Sequence, residues 1–284
     1  MVLFRNKEIS KINVCLITEE FRPSIKGGIA TWSSDLAYYL HKQNYNVTVF
    51  IKKHKGIKKS FDINKFPFKV YLMRGRDWAF FKKWYISFYI FKFLKRNQKP
   101  IIISTNWELS QGIIFYKNFF KFSLITILHG LEVTRLKSFK YKHRVKNFTK
   151  AIINSDKTVS VSNYTKNKAN TIIKNKIDIE VIPNFVNTKN FYPISDEKYF
   201  TNFSHYKNDI ILLTLSRLVK RKGHLVVIDS MKELTKKYSN IRYLIAGTGD
   251  KSYEKELKKY IKKLNLEKYI HLLGYISEKR KKII

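Results

Sequence analysis

Short, continuous apolar runs alternate along the chain with longer segments in which apolar residues recur at the helical period. A continuous apolar run is typical of a strand buried on both faces of a parallel sheet, and Ile210–Leu215 is the clearest example. Helical spacing is clear in Ile228, Met231 and Leu234. The alternation predicts an α/β fold built on parallel sheets. The predicted strands are 12–18, 47–51, 70–73, 101–104, 123–128, 157–160, 179–182, 210–215, 241–246 and 269–273. The predicted helices are 29–43, 77–96, 109–116, 163–174, 223–238 and 252–264.

The length of the chain and one turn divide it into domains. At 284 residues it is longer than one doubly wound domain and shorter than two, taking roughly 150–200 residues for each. A turn at residues 183–187 follows the seventh predicted strand. We therefore expect a first domain over 1–187, a linker over 188–208 and a second domain over 209–284. A second sheet that stops after three strands would be incomplete.

The composition is strongly basic, with a net charge of +36 from 57 Lys and Arg against 21 Asp and Glu. This charge predicts a polyanionic partner, such as nucleic acid, anionic lipid or a phosphorylated substrate. Lysine greatly outnumbers arginine and no nucleic-acid-binding motif is present, which favours the anionic membrane surface over nucleic acid. The single cysteine, Cys15, lies in a predicted strand and fits a reducing compartment. We find no secretory signal in residues 1–11 and expect a cytoplasmic protein.

The segment 77–96 interleaves aromatic residues with lysines and is too charged to span a bilayer. An amphipathic helix of this kind could lie on an anionic membrane surface. It could equally pack on the sheet and extend its lysines into solvent.

Two patterns predict ligand-binding residues in the first domain. Gly27 and Gly28 lie between the first predicted strand and its helix, which is the arrangement of a phosphate-binding βα unit, although a tight turn needs the same residues. His129 follows the strand 123–128 directly and is followed by Gly130. It is therefore expected at the carboxyl end of the sheet, where ligands of open α/β sheets bind.

A basic loop in the second domain is a candidate diphosphate site. The loop after Ile210–Leu215 contains Arg217 and Lys222, and Gly223 opens the next helix. A helix N-terminus at the carboxyl end of a strand offers free N–H groups and a partial positive charge to an anion. In a chain so rich in lysine, a solvated basic loop explains the same residues.

Several of these motifs resemble those of the family 4 glycosyltransferases, which have the GT-B fold. Ser216-Arg217-Leu218 with Lys222-Gly223 is similar to the motif that binds the donor diphosphate. Residues 243–249 are similar to the strand and glycine turn of the family, and residues 271–275 to its next strand and nucleotide-base pocket. The resemblance extends to the glycine pair and to His-Gly at 129–130. It implies two Rossmann-type doubly wound parallel-sheet domains, the second incomplete here.

The resemblance also implies which residues act. The family's histidine contacts the donor sugar, which makes His129 the candidate catalytic residue. The implied donor-binding residues are Gly27, Gly28, Arg217, Lys222, Gly247 and Tyr275.

The implied reaction is transfer of a sugar from a nucleotide diphosphate sugar, with retention, to a cell-surface polysaccharide or lipid-linked glycan at the inner membrane face. No Asp-x-Asp motif is present to hold a metal ion. We expect no metal and no cofactor beyond the nucleotide-sugar. The family's Glu-x7-Glu element belongs after residues 273–275, and the chain ends at Ile284 before it. The alternative is therefore a catalytically dead, truncated remnant that acts at most as a basic membrane-surface binding protein.

Overall fold

The computed structural model describes residues 12–23, 27–53, 61–74, 79–137, 142–186, 188 and 206–277, without the side chains of 79–84, 137 and 142. The chain divides into two compact units, Met1–Phe185 and Val186–Ile284. Each unit contains a parallel β-sheet with helices packed on it, so the α/β prediction is confirmed. The expected boundary at Asn187 and most of the expected linker lie outside the described residues.

The sheet of the first unit has the strand order β3-β2-β1-β4-β5-β6-β7, and all its neighbouring strands are parallel. Its direction of winding reverses between β1 and β4. This reversal creates a crevice at the carboxyl ends of the strands. The strands β1 to β7 are Asn13–Thr18, Asn46–Lys52, Lys69–Met73, Ile101–Ser104, Ser123–Leu128, Lys157–Ser160 and Glu180–Val181.

Helices cover both faces of this sheet. Val14 and Leu16 of β1 pack in the core cluster that contains Ala37 of α1, whereas Cys15 and Ile17 pack in the cluster of α2. Alternate residues of one strand therefore serve opposite layers, as a doubly wound fold requires. The helices α1 to α6 are Gly28–Lys42, Ala79–Arg96, Trp107–Ser110, Leu131–Thr134, Lys142–Ile153 and Asn163–Ile173.

The second unit contains a smaller parallel sheet in the order β10-β9-β8. Ile228 and Met231 of α7, which have the predicted helical spacing, are fully buried. Leu257 of α8 is fully buried as well. The strands β8 to β10 are Ile210–Leu215, Ile241–Ala246 and Ile270–Gly274, and the helices α7 and α8 are His224–Lys237 and Lys251–Lys263.

Two sequence-based predictions are wrong in detail. The strand β8, expected to be buried on both faces, is an edge strand whose Ile211, Leu213 and Leu215 are 38–45% exposed. Among the residues that the structure describes, it pairs with β9 alone, and the packed helices lie on its other face. The helix expected around 109–116 is instead the single turn of α3 followed by a 3-10 turn at Ile114–Asn118. Gly112 lies between the two turns and weakens a continuous helix there.

Among the described residues, no helix combines the length and apolar character needed to cross a bilayer.

Candidate functional site

The first cluster of candidate residues lies at the carboxyl edge of the larger sheet. Gly27 and Gly28 follow β1 and begin α1, and His129 follows β5. The ring of Trp32, in the second turn of α1, meets the His129 ring edge-on, with 5.1 Å between the ring centroids. The glycine loop and His129, far apart in sequence, therefore lie on the same side of this unit.

The glycine pair leaves the start of α1 open. Gly27 occupies the N-cap position with an extended backbone and no side-chain cap hydrogen bond. A Cβ on Gly28 would meet nothing within 4 Å, so local packing does not explain the absence of a side chain there. Glycine at this position keeps the N–H groups of the first helical turn accessible, as an anion-binding helix N-terminus requires.

His129 is held as a neutral imidazole. Burial lowers the pKa of His129 to about 4. Its Nε2 atom is buried and has no hydrogen-bond partner among the described residues. An unpartnered buried nitrogen is costly, and a ligand hydroxyl is one group that could satisfy it.

Glu132 fixes the turn that carries His129. The backbone N–H groups of His129 and Gly130 donate to its Oε1 atom, at 2.6 and 3.2 Å. Burial raises the pKa of Glu132, against the opposing effect of these hydrogen bonds. The Glu132 carboxylate is therefore engaged within its own turn.

The second cluster lies at the carboxyl ends of β8, β9 and β10. The N–H of Ser216 donates to the carbonyl of Ala246 at 3.0 Å, and the N–H of Gly247 donates to the carbonyl of Gly274 at 2.7 Å. In the sequence, Arg217 comes directly after Ser216, Gly247 after Ala246 and Tyr275 after Gly274. The three strand ends therefore bring together candidates that lie about thirty residues apart in sequence, one after the other.

Close backbone approach explains the glycines of this cluster. A Cβ on Gly247 would overlap the carbonyl oxygen of Ser216, and Gly247 has a φ of 140°, which disfavours other residues. A Cβ on Gly249 would overlap the carbonyl of Leu218 in the same way. The backbone of the loop after β8 therefore packs directly against the backbone of the glycine turn after β9.

The two cationic candidates of this cluster extend into solvent. Arg217 and Lys222 are both exposed. Lys222 lies in a 3-10 turn that ends at Gly223, where a φ of 74° reverses the chain into α7 without a side-chain cap hydrogen bond. Cationic side chains beside an uncapped helix N-terminus suit an anionic ligand.

His224 is a residue of this cluster that the sequence analysis missed. It is fully buried, with its Nε2 atom 3.2 Å from the Ser216 hydroxyl and its Nδ1 atom 3.5 Å from the Tyr253 hydroxyl. Burial lowers the pKa of His224, and the charge of Lys222 lowers it further. The neutral ring connects the loop after β8 to α8. A lone histidine after a glycine carries no periodic signal, so only the tertiary contacts identify it.

Comparisons with protein-family models match nearly the whole chain in two parts. Residues 26–190 match the model of glycosyltransferase family 4. Residues 195–284 match the model of the group 1 glycosyl transferases.

Curated relatives are similar over different lengths. An uncharacterized glycosyltransferase of Methanocaldococcus jannaschii is 28% identical over 162 residues, which cover 57% of this chain and 32% of the relative. A phosphatidylinositol N-acetylglucosaminyltransferase subunit from Arabidopsis thaliana is 23% identical, over 96% of this chain and 60% of the relative. The chain thus spans about a third and three fifths of the lengths of these two proteins.

Solved structures share the fold. Sucrose-phosphate synthase from Thermosynechococcus elongatus has a TM-score of 0.74 at 16% identity, covering 96% of this chain and 73% of that one. HepE of Anabaena, in complex with UDP, has a TM-score of 0.71 at 14% identity, with coverages of 94% and 70%.

These matches agree with the two parallel sheets of the fold. The GT-B architecture and the family expected from the sequence are confirmed. Because one family model alone covers more than half of its residues, this chain belongs to glycosyltransferase family 4.

Proposed function

We propose that this chain is a retaining, metal-independent glycosyltransferase that takes a nucleotide diphosphate sugar as its donor and needs no further cofactor. The observation that carries the proposal is the convergence of Arg217, Gly247 and Tyr275 at three neighbouring strand ends, beside the uncapped start of α7. HepE, which shares the fold, was solved with UDP and with UDP-glucose. A nucleoside diphosphate is a ligand of the size and charge that this edge of the sheet would accept.

The difficult step is departure of the nucleoside diphosphate. As the bond from the anomeric carbon to the diphosphate oxygen breaks, negative charge grows on the phosphate oxygens. Fixed positive groups at that position stabilise the transition state more than the ground state. In this proposal Arg217 and Lys222 supply those charges, and the N–H groups at the start of α7 add to them.

In this proposal His129 contacts the sugar of the donor rather than its diphosphate. With its pKa lowered to about 4 by burial, the ring is neutral at neutral pH and cannot act as a fixed cation. Its Nε2 atom, unpartnered among the described residues, can accept from or donate to a sugar hydroxyl, according to the tautomer. We infer a role in orienting the donor sugar.

The acceptor we propose is a cell-surface polysaccharide or a lipid-linked glycan, reached at the cytoplasmic face of the membrane. The phosphatidylinositol N-acetylglucosaminyltransferase subunit of Arabidopsis thaliana, named for a lipid substrate, is similar over nearly the whole chain. A net charge of +36 favours an anionic surface of this kind.

The test measures both nucleotide binding and transfer. Arg217→Ala and Lys222→Ala should each weaken binding of UDP, GDP or ADP, whichever the wild type binds, in calorimetric titrations. Each should lower the rate of donor consumption by about 10²–10³-fold, as for loss of an oxyanion-stabilising group. Both side chains are exposed, so thermal stability should not change.

Lys262→Ala is the matched control, because Lys262 is an exposed lysine in the last turn of α8. It should bind and react as the wild type does. Full activity of the Arg217→Ala, Lys222→Ala double variant would overturn the site assignment. Loss of activity on addition of EDTA would overturn the metal-independent mechanism.

A further inference from the structure

An exposed aromatic surface lies on the first unit. We use the term aromatic surface for Phe88, Phe91, Phe115, Tyr116, Phe119 and Phe120. Phe88, Phe115 and Phe119 are 54, 60 and 66% exposed, and the other three are half-buried. Large exposed aromatic residues that occur together indicate an interaction site.

Two segments form this surface together. The hydroxyl of Ser87 on α2 donates to the carbonyl of Gly112 at 2.7 Å, which joins α2 to the segment that follows α3. The Phe91 ring lies 5.9 Å from the Tyr116 ring and 6.0 Å from the Phe120 ring, between centroids. The Phe115 ring lies 5.6 Å from the Tyr116 ring and 5.2 Å from the Phe119 ring, so five of the six rings are in continuous contact. Phe88 lies one helical turn before Phe91 on α2.

The three most exposed rings, those of Phe88, Phe115 and Phe119, lie outside the hydrophobic core. The opposite face of α2 carries Ile86, Ile90, Phe93 and Leu94 into the core. The two interpretations of the segment 77–96 are therefore compatible, because one face packs on the sheet and the other is presented to solvent. Trp78, Phe80, Phe81 and Trp84, which contribute to the sequence pattern, lie outside the described residues and side chains.

The charge around the aromatic surface is positive. The ammonium of Lys92 lies 4.3 Å from the centre of the Phe88 ring, and that of Lys95 lies 4.8 Å from the centre of the Phe91 ring. Residues 78–107 and 109–131 contain no Asp or Glu. Asp156 reaches this region and pairs with Lys117 at 2.7 Å.

We propose that the aromatic surface docks this protein on an anionic lipid bilayer. Aromatic rings settle favourably at the level of the lipid headgroups, and lysines beside them reach the lipid phosphates. This inference deepens the membrane part of the proposed function, since it assigns the contact to named side chains. It does not depend on the nucleotide site.

The geometry favours a bilayer over two other partners. Single-stranded nucleic acid needs ring faces open to successive bases. Here Phe91 and Phe120 meet at 81° and Phe115 and Phe119 at 50°, so the rings lean on one another. A second copy would bring two lysine-lined surfaces of like charge together in a protein of net charge +36.

The first experiment places a fluorophore on the surface of the full chain. Cys15, which is the chain's one cysteine, is fully buried, so an introduced exposed cysteine can be labelled selectively. An environment-sensitive dye on Phe119→Cys should shift to the blue with vesicles of phosphatidylglycerol and phosphatidylcholine. The same dye on Tyr164→Cys should not respond, although Tyr164 is 61% exposed and also has a lysine, Lys168, over its ring. Equal response at both sites, or none at either, overturns the proposal.

The second experiment separates the aromatic surface from general charge attraction. Replacing Phe88, Phe115 and Phe119 together by Ser should weaken vesicle binding about tenfold or more, in cosedimentation assays. Lys92→Gln with Lys95→Gln should weaken it on anionic vesicles, and more than the matched pair Lys259→Gln with Lys262→Gln on α8. Equal loss in the two lysine pairs would assign the binding to net charge and overturn the proposal.

Failure of the bilayer proposal can be distinguished from failure of the proposed nucleotide site. The serine variant should bind nucleoside diphosphate as the wild type does, because none of the replaced residues is a donor-binding candidate. A serine variant that keeps vesicle binding but loses self-association, measured by sedimentation velocity, would assign the surface to a second copy. Loss of oligonucleotide binding with vesicle binding retained would assign it to nucleic acid. Either result overturns the bilayer assignment.

Discussion

At the scale of single residues, the loops after β8 and β9 are held together by a close backbone contact. Gly247 occupies a φ of 140°, and a Cβ there would overlap the Ser216 carbonyl. We predict that Gly247→Ala lowers the free energy of unfolding by about 1–3 kcal/mol and weakens nucleotide binding, because Ser216 precedes Arg217. Urea unfolding and calorimetric titration measure the two effects.

Gly28→Ala is the matched control for stability, since a Cβ there meets nothing within 4 Å and the position is helical. It should leave stability unchanged or raise it by up to about 1 kcal/mol. If the two alanine variants were equally stable, the backbone contact between Gly247 and Ser216 would not exist in solution.

Burial of His129 should make stability depend on pH. The histidine of the unfolded chain titrates at its ordinary pKa of 6.5, whereas the folded one titrates at about 4. Between these values the unfolded state binds more protons, so stability is lost as pH falls from 6.5 to 4. The full difference is about 3 kcal/mol.

Unfolding of the wild type and of His129→Gln across this pH range measures the effect. The wild type should lose more stability than the variant as pH falls. Glu132, whose pKa burial raises, contributes with the opposite sign in both proteins, so the comparison isolates the histidine. Parallel pH profiles would show that the imidazole is solvated.

Residue-level roles could be predicted from the sequence only where a pattern carries them. The apolar runs before them placed His129 at the end of β5 and Arg217 in the loop after β8, and the structure has both at those positions. The bridge made by His224 depends on Ser216 and Tyr253, which lie eight and twenty-nine residues away. No local pattern reports such a contact.

At the scale of elements, several strands were predicted with their observed bounds, including Ile101–Ser104, Ser123–Leu128 and Ile241–Ala246. Their apolar runs end sharply at polar residues or glycine. The start of α6 is likewise local in origin, because the hydroxyl of Ser162 accepts from the Thr165 N–H at 3.2 Å. Burial of Ile210–Leu215 was not predictable, because it depends on what pairs with the strand and packs on it.

The edge position of β8 predicts unequal costs at two paired leucines. Leu213 lies beside Leu244 of β9 in the sheet, yet Leu213 is 40% exposed and Leu244 is 2% exposed. Leu244→Ala should lower the free energy of unfolding by about 2–5 kcal/mol, and Leu213→Ala by about 1 kcal/mol or less. Urea unfolding of each variant tests this. Equal costs would mean that both faces of β8 are covered in solution, as its sequence alone suggests.

At the scale of the whole molecule, each hydrophobic cluster found among the described residues belongs to one unit. Three lie within Met1–Phe185, and one lies within Val186–Ile284. The first unit has the size of an ordinary domain and a sheet covered on both faces. The two parallel sheets were predictable because strand and helix patterns repeat on both sides of residues 183–187.

Separate cores predict that the first unit folds alone. The fragment Met1–Phe185 should unfold cooperatively by circular dichroism, within about 5 °C of the corresponding transition in the full chain. The control fragment Met1–Ile153 lacks β6, α6 and β7, and with them Ala169, Ile173 and Ile179 from the cluster around Trp107. It should lose cooperative unfolding, because β5 becomes an uncovered edge and a large part of that cluster is missing. Cooperative unfolding of the shorter fragment, or its absence in the longer one, would mean that the stability of the first unit does not come from the core described here.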